Sequence, residues 1–333
     1  MRIVYVMEKI SGVGGIERIL TEKMNYLEEH TAHEVVLMLL WHDETKIEYP
    51  LSERIRIVRL NVPYIKGGVT YPWALLRYNR MMQKLQPDVV DLIWIAPAFL
   101  GVYGKKPKRK DGTLSKVIFE SHLSTENMTH GWIYPRIAKR ADCVVTLTEG
   151  DAKNYPMAKR VEVIQNFCTL QEPSIMPDYS VKKCISLGRD CYQKDFHRMR
   201  RLFAEAQKTH PDWTLDIHHD TKDVVSAYTS GSIYLMTSRF EGFPMTLIEA
   251  QTCGLPIIAF DCPNGPREII EDGKTGLLIP YNDDKQFVEK LCYLMDHPEV
   301  REQMGRAARE SVKRYNKTEI MNKWLRLFTG REK

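Results

Sequence analysis

At 333 residues, with 43% hydrophobic and 27% charged side chains, the chain is too long for one ordinary core and suits two globular domains of roughly 150 residues each. No window approaches the ~18 consecutive apolar residues that span a bilayer, and the opening MRIVYVM lacks the basic, apolar and small-residue regions of a secretion signal, so neither an integral membrane protein nor a secreted one is expected. A formal charge of +5 is too small to argue for nucleic acid, and Cys143, Cys168, Cys184, Cys191, Cys253, Cys262 and Cys292, scattered singly, fit neither a disulfide framework nor CxxC metal spacing and read as free thiols of a cytoplasmic protein.

From the N-terminus, Arg2–Met7, Glu34–Leu40, Ile55–Leu60, Val89–Ile95, Val117–Ser121 and Cys143–Leu147 are short β-branched runs that predict strands. Between them, Ile16–Glu29, Tyr71–Leu85 and Trp132–Arg140 space apolar residues three and four apart, as helices with one buried face do. The alternation predicts a doubly wound α/β domain over residues 1–167. Within it, GKKPKRKDG places Lys105, Lys106, Lys108, Arg109 and Lys110 in an exposed loop. That loop is either simply solvated or drawn to anionic lipid headgroups, where each basic residue contributes about 1 kcal/mol. No finger, basic-zipper or aromatic RNA-binding pattern accompanies it.

After the apolar run Val161–Ile164, NFCTLQEPSIMPDYSVKK has two prolines and no periodicity, and reads as a linker. The pattern then restarts. Cys184–Leu187, Trp213–Ile217, Ile233–Met236, Ile257–Phe260 and Gly276–Ile279 predict strands, and Phe196–Thr209, Met245–Cys253 and Lys285–His297 predict helices. A second α/β domain over 168–315 follows, closed by an amphipathic helix Lys317–Phe328 within 316–333. Two such domains leave a cleft, and open parallel sheets bind ligands outside the carboxyl ends of their strands.

The stretch FEGFPMTLIEA places Glu241 before a Gly-Phe-Pro turn and Glu249 inside the helix that follows, with Pro244 in the first turn, where a missing N–H does no harm. The helix start favours an anion or a hydroxyl-rich ligand. Glu241 suits sugar hydroxyls above the turn and Glu249 suits a diol such as a ribose, because ionised carboxylates only accept hydrogen bonds. Alone, the pair could equally do no more than complement the helix dipole.

The surrounding residues carry a resemblance. SRFEGFPMTLIEAQTCGLPIIAFDCPNGPREIIEDGKTGLLIP resembles the signature region of the GT-B retaining glycosyltransferases of family GT4: two glutamates with seven residues between them, then AxxxGxP, matched by Glu241, Glu249, Ala250, Gly254 and Pro256. LGRDCYQKDFHRMRRLF resembles the family's phosphate segment and puts Gly188, Arg189 and Lys194 on its binding positions. SGVGGIERIL resembles the loop after the first strand, giving Gly14, Gly15, Glu17 and Arg18, and FESHLS puts His122 where the family often has a histidine near the donor sugar. The closing helix with Trp324 resembles the one that returns to the first domain. The likeness covers nearly the whole chain, with high specificity only in the second half.

The resemblance implies two Rossmann-like domains and transfer of a hexose, with retention, from a nucleotide-sugar such as UDP-hexose to a glycan or lipid-linked acceptor in surface polysaccharide synthesis. Glu241, His122, Arg189 and Lys194 are then the catalytic candidates, and Gly188, Arg189, Lys194, Glu241, Gly242, Phe243, Pro244 and Glu249 hold the donor. Gly14 and Gly15 form an acceptor or phosphate loop. No Asp-x-Asp is present, so no metal is needed to explain the site, and no cofactor is expected. The expected place of work is the cytoplasm or the inner face of the membrane. Each assignment has a plainer counterpart: cleft-side cations are often only solvated, His122 can be a structural histidine, and Gly14 and Gly15 can be a tight turn. GVGGIE lacks the third glycine of a dinucleotide loop, although Asp43 follows the second predicted strand. His218 and His219 with Asp220 point opposite ways and are given no metal role.

Three departures from the family pattern stand out. Only HHD follows WTLDI, where the family has about 25 to 30 more residues, one αβ unit that contacts the base. Asp195 replaces a glycine after the phosphate lysine and is expected to repel a diphosphate or partly neutralise Lys194. Cys191 replaces apolar filling. A sugar-nucleotide 2-epimerase and a non-catalytic sugar-nucleotide or glycan-binding protein are the rival readings, with an NAD-dependent dehydrogenase further off.

Overall fold

A computed structural model describes residues 1–10, 14–41, 47–63, 71–122, 133–219, 221 and 223–330. Its contacts divide the chain into a unit of 1–165 with 318–333 and a unit of 166–317. The first unit contains β1 (Arg2–Met7), α1 (Gly15–His30), β2 (Glu34–Trp41), β3 (Arg56–Val62), α2 (Tyr71–Leu85), β4 (Val89–Ile93), α3 (Ile95–Tyr103), β5 (Lys116–Ser121), α4 (Tyr134–Arg140), β6 (Cys143–Thr146), α5 (Glu149–Ala152) and β7 (Val161–Val163). The second contains β8 (Lys183–Leu187), α6 (Phe196–Gln207), β9 (Thr214–His218), α7 (Val224–Thr229), β10 (Ile233–Met236), α8 (Met245–Thr252), β11 (Ile257–Asp261), α9 (Pro266–Ile269), β12 (Gly276–Pro280), α10 (Asp284–Asp296) and α11 (Pro298–Ser311). The last helix, α12 (Lys317–Thr329), returns almost whole to the first unit.

The near-continuous apolar runs RIVYVM and EVVLMLLW are buried along almost their whole length, which only a parallel sheet covered on both faces allows. Among the described residues that sheet has the order β3-β2-β1-β4-β5-β6-β7, all pairings parallel. Strand order reverses between β1 and β4, the mark of a doubly wound fold. The strand expected to run to Ile95 stops at Ile93, because Trp94 takes a φ of 72° and swings the chain into α3. Val161–Ile164, expected to lead into the linker, instead supplies the edge strand β7.

The second sheet is also parallel, in the order β12-β11-β10-β8-β9, and it reverses between β8 and β10. Its core joins Phe196, Leu202, Leu235, Phe260, Phe287 and Leu291 from both layers. β9 lies at the edge, and the chain passes from it through α7 directly to β10, as the short HHD connection implies.

The proline-containing stretch expected to be a linker is a strap on the second unit. Tyr179 donates from its hydroxyl to Gly254 O at 2.7 Å, and Cys168 N donates to Tyr315 O at 3.0 Å. Arg301, buried in α11, satisfies its guanidinium on the carbonyls of Tyr179 and Met295 and stacks 5.0 Å from the Trp213 ring. This seam leaves no room at Gly305, where a Cβ would press on Gly254 O and the Tyr179 hydroxyl. Gly305→Ala should therefore destabilise the chain by about 1–3 kcal/mol, read as a lower urea midpoint at unchanged slope.

Candidate functional site

Ligands of open parallel sheets collect where strand order reverses, outside the carboxyl ends of the strands. In the second unit, β8 ends at Leu187 and runs into the loop carrying Gly188 to Asp195, while β10 ends at Met236 and runs into the loop carrying Thr237 to Gly242. These two loops leave adjacent strands at the reversal. Arg239 N donates to Gln193 O at 2.8 Å, Gln193 Nε2 to Phe240 O at 3.1 Å, and the Thr237 hydroxyl to Asp195 O at 3.1 Å.

Their charged ends meet as an ion pair. Lys194 Nζ lies 2.8 Å from Glu241 Oε1, and Gln193 Nε2 donates to Glu241 Oε2 at 3.0 Å. Glu241 is buried, while the Lys194 side chain remains 17% exposed. Burial works against the Lys194 ammonium, but Glu241 outweighs it, with smaller help from Tyr234 and Cys191, and holds the lysine above its ordinary range. Glu241 uses one of the three ammonium donors. Each Glu241 oxygen has one partner, Lys194 on Oε1 and Gln193 on Oε2, which leaves acceptor capacity on both for the hydroxyl role expected from sequence.

Asp195 departs from its expected effect on Lys194. Its backbone sits in the left-handed region at φ 51°, which accounts for a glycine being preferred at this position. The carboxylate turns onto the start of α6, accepting from Arg198 N at 3.4 Å, and pairs with Arg239 at 2.9 Å, while Arg239 lies over the Tyr192 ring. Lys194 thus keeps Glu241 as its counter-charge. Gly188 takes φ 152° with the Lys194 side chain packed where a Cβ would project, and its carbonyl oxygen is 2.8 Å from His219 Nδ1. Arg189 is exposed, and nothing in the structure explains Cys191.

Gly242, Phe243 and Pro244 lead into α8. Pro244 is the cap residue rather than the first helical one, and Phe243 is buried edge-on against Tyr315. Glu249, one turn further on, accepts from the Tyr228 hydroxyl at 2.9 Å. Burial, reinforced by that carboxylate, pushes the Tyr228 phenol up and keeps it a donor. Gln193, Tyr228 and Arg239 were not singled out from sequence, and His219 was weighed there only as a metal ligand and given no role. Only Gln193, next to Lys194, had a positional hint.

Gly14, Gly15 and His122 belong to the first unit. Gly14 caps α1 with φ −76° and Gly15 is its first residue, so neither needs a glycine-only conformation. His122 follows β5, is buried, and has Nε2 2.9 Å from Glu120 Oε2. Asp43 and Asp220 lie outside the described residues. In the basic loop, Lys106 pairs with Asp142 at 2.7 Å, leaving Lys105, Lys108 and Lys110 exposed.

The family model "Glycosyltransferase Family 4" matches residues 13–172, and "Glycosyl transferases group 1" matches 198–311. The chain is 26% identical to the amylovoran biosynthesis glycosyltransferase AmsD of Erwinia amylovora, over 97% of this chain and 98% of that protein. It is 23% identical to a lipopolysaccharide 1,6-galactosyltransferase of Salmonella typhimurium, over 87% and 89% of the two chains. The lipopolysaccharide outer core galactosyltransferase WaaB in its apo form superposes with a TM-score of 0.81 at 18% identity, covering 99% of this chain and 100% of that one. The pneumococcal O-GlcNAc transferase GtfA, solved with UDP and GlcNAc, gives 0.75 at 13% identity, covering 99% of each. These neighbours place both units in the GT-B fold.

Removing one partner of a buried pair strands the other charge, whereas removing both does not. Lys194→Met should cost about 3 kcal/mol in urea unfolding, and adding Glu241→Gln should restore most of it. Additive losses in the double variant would contradict the pairing.

Proposed function

The chain belongs to glycosyltransferase family 4, and from that premise we propose that it moves a hexose from UDP-hexose to a glycan or lipid-linked acceptor of a surface polysaccharide, with retention of anomeric configuration. One observation carries this reading: the Lys194–Glu241 pair at the strand reversal of the second unit, beside the start of α8. As the anomeric carbon–oxygen bond breaks, negative charge builds on the β-phosphate. Lys194 has two ammonium donors left for that charge, Arg189 is an exposed cation on the same loop, and the start of α8 adds the positive end of its dipole. The acceptor hydroxyl forms the new bond on the face the phosphate leaves and gives its proton to the departing phosphate oxygen. Glu249, buttressed by Tyr228, takes the ribose hydroxyls, and His122 serves the transferred sugar.

The names of the relatives support this class of product: amylovoran for one, lipopolysaccharide for another. Three structural neighbours were solved with UDP. The open edge at β9 favours a second reading, binding without transfer, since the missing αβ unit is where the base is expected to rest.

A lipid-linked acceptor fits one further surface of the first unit. On α2, Trp73 and Leu76 are 65% and 69% exposed, and Arg77 and Arg80 continue the same side of the helix. Lys105 N donates to Asn79 Oδ1 at 2.8 Å, which sets the exposed lysines of the basic loop against this helix. Aromatic and basic side chains together suit the headgroup region of an anionic bilayer.

Calorimetry with UDP, GDP and ADP should show UDP binding tightest, weakened at least tenfold by Glu249→Ala. Lys194→Ala should lower turnover of UDP-hexose more than it weakens UDP binding. Unchanged values in both variants contradict the donor site, and UDP binding with no sugar released to water or acceptor favours the non-catalytic reading. Flotation should show the protein on vesicles containing phosphatidylglycerol but not on pure phosphatidylcholine. Lys105→Glu/Lys108→Glu/Lys110→Glu or Trp73→Ser/Leu76→Ser should each release it, and retention in both would remove the membrane surface from the proposal.

A further inference from the structure

The first unit contains a buried charged cluster that the transfer reaction, as read above, leaves without a role. Asp91 in β4 stands opposite Tyr5 of β1 and Ile118 of β5, and Glu120, two residues beyond Ile118, shares that face of the sheet. Lys23, on the buried side of α1, reaches down between them. Its Nζ contacts Glu120 Oε1 and lies 3.4 Å from Asp91 Oδ2, with 1% of the lysine side chain exposed. The indole of Trp324, on α12, covers the ammonium at 3.4 Å from its ring centroid, and the Tyr5 ring lies at 5.0 Å. The other Glu120 oxygen, Oε2, is 2.9 Å from His122 Nε2, a close approach without hydrogen-bond alignment in this ring orientation, and both buried ring nitrogens of His122 are without a hydrogen-bond partner among the described residues. Burial, with Glu120 adding to it, pushes the Asp91 carboxyl up against the pull of Lys23. For Glu120 burial acts in the same sense, but Lys23 and His122 outweigh it and hold that carboxyl well below the usual range. Lys23 thus faces two buried carboxylates and lies nearer to Glu120.

We propose that Glu120 is a positioning residue for His122, and that Lys23, capped by Trp324 of the returning helix, fixes the Glu120 carboxylate for that purpose. The proposal rests on the reading that His122 serves the transferred sugar. A carboxylate at Nε2 draws the ring proton to that nitrogen and leaves Nδ1 as the acceptor, which is what a sugar hydroxyl needs. The Lys23–Glu120 pair accordingly does more than neutralise buried charge. It selects one tautomer and one ring orientation of the histidine.

Two charge-balanced double variants separate positioning from neutralisation. Lys23→Met/Glu120→Met deletes the pair, and Lys23→Met/Glu120→Gln deletes it but keeps an oxygen facing His122. Long-range 1H–15N spectra, with the His122 signals identified by their loss in His122→Gln, should show a protonated Nε2 in the parent and in the Met/Gln protein, and an averaged tautomer pattern in the Met/Met protein. With UDP-glucose, UDP-galactose and UDP-N-acetylglucosamine as probes, kcat should fall about a hundredfold in the Met/Met protein, KM changing less than about threefold, with most of kcat regained in the Met/Gln protein. A parent spectrum with the proton on Nδ1, which needs no variant to fold, overturns the proposal, as do identical His122 patterns in the two double variants. If His122→Gln turns over donor as the parent does, the reading of His122 falls, while the contrast in spectra still decides the role of Glu120.

Discussion

The site of the second unit depends on one ion pair. Lys194 and Glu241 come from loops that leave neighbouring strands, and their contact, 2.8 Å long and closed by Gln193, ties the end of β8 to the end of β10. A lysine that faces a forming diphosphate, the role proposed for Lys194, has to stay charged while partly desolvated. A buried carboxylate on its other side meets that requirement and leaves ammonium donors for a ligand.

The parallel sheet makes that meeting possible. β8 and β10 are neighbours in space but separated in sequence by α6, β9 and α7, and only the reversal of strand order places their two outgoing loops side by side. The backbone is adapted locally. Gly188 and Asp195 both take positive φ, so the loop folds back on itself and delivers Lys194 to Glu241, while the Asp195 carboxylate is spent on the start of α6 and on Arg239. A residue expected to interfere with phosphate thus serves as a cap because of its backbone conformation.

The first unit uses buried charge differently. Lys23, Asp91, Glu120 and His122 lie within a sheet-and-helix sandwich whose other buried residues are almost entirely apolar, and the ring of Trp324 completes the enclosure. A returning helix held only by apolar contact has many acceptable rotations. One whose indole has to cover a buried ammonium has few, because the uncovered charge would be stranded in the core.

Much was legible from sequence. The β-branched runs predicted every strand but β7 to within a residue or two, FEGFPMTLIEA drew attention to Glu241 and Glu249 by its paired carboxylates around a Gly-Phe-Pro turn, and the resemblance of LGRDCYQK to the family's phosphate segment singled out Gly188 and Lys194. Helix α3 was hidden because IAPAFLGVY is apolar all round and follows a strand without polar punctuation; only the φ of Trp94 separates the two. Helix α11 was hidden because its buried positions include Arg301 and Gly305, which no apolar periodicity reveals. Sequence by itself determined the alternation of elements and the residue types available for chemistry, since these follow from local propensity and spacing, and its motifs carried the resemblance to the family. Tertiary structure alone decided which charges meet: Lys194 with Glu241 rather than Asp195, Glu249 with Tyr228, and Lys23 with Glu120 under Trp324. Pairings between residues tens or hundreds of positions apart are set by sheet order and burial, which no short window of sequence contains.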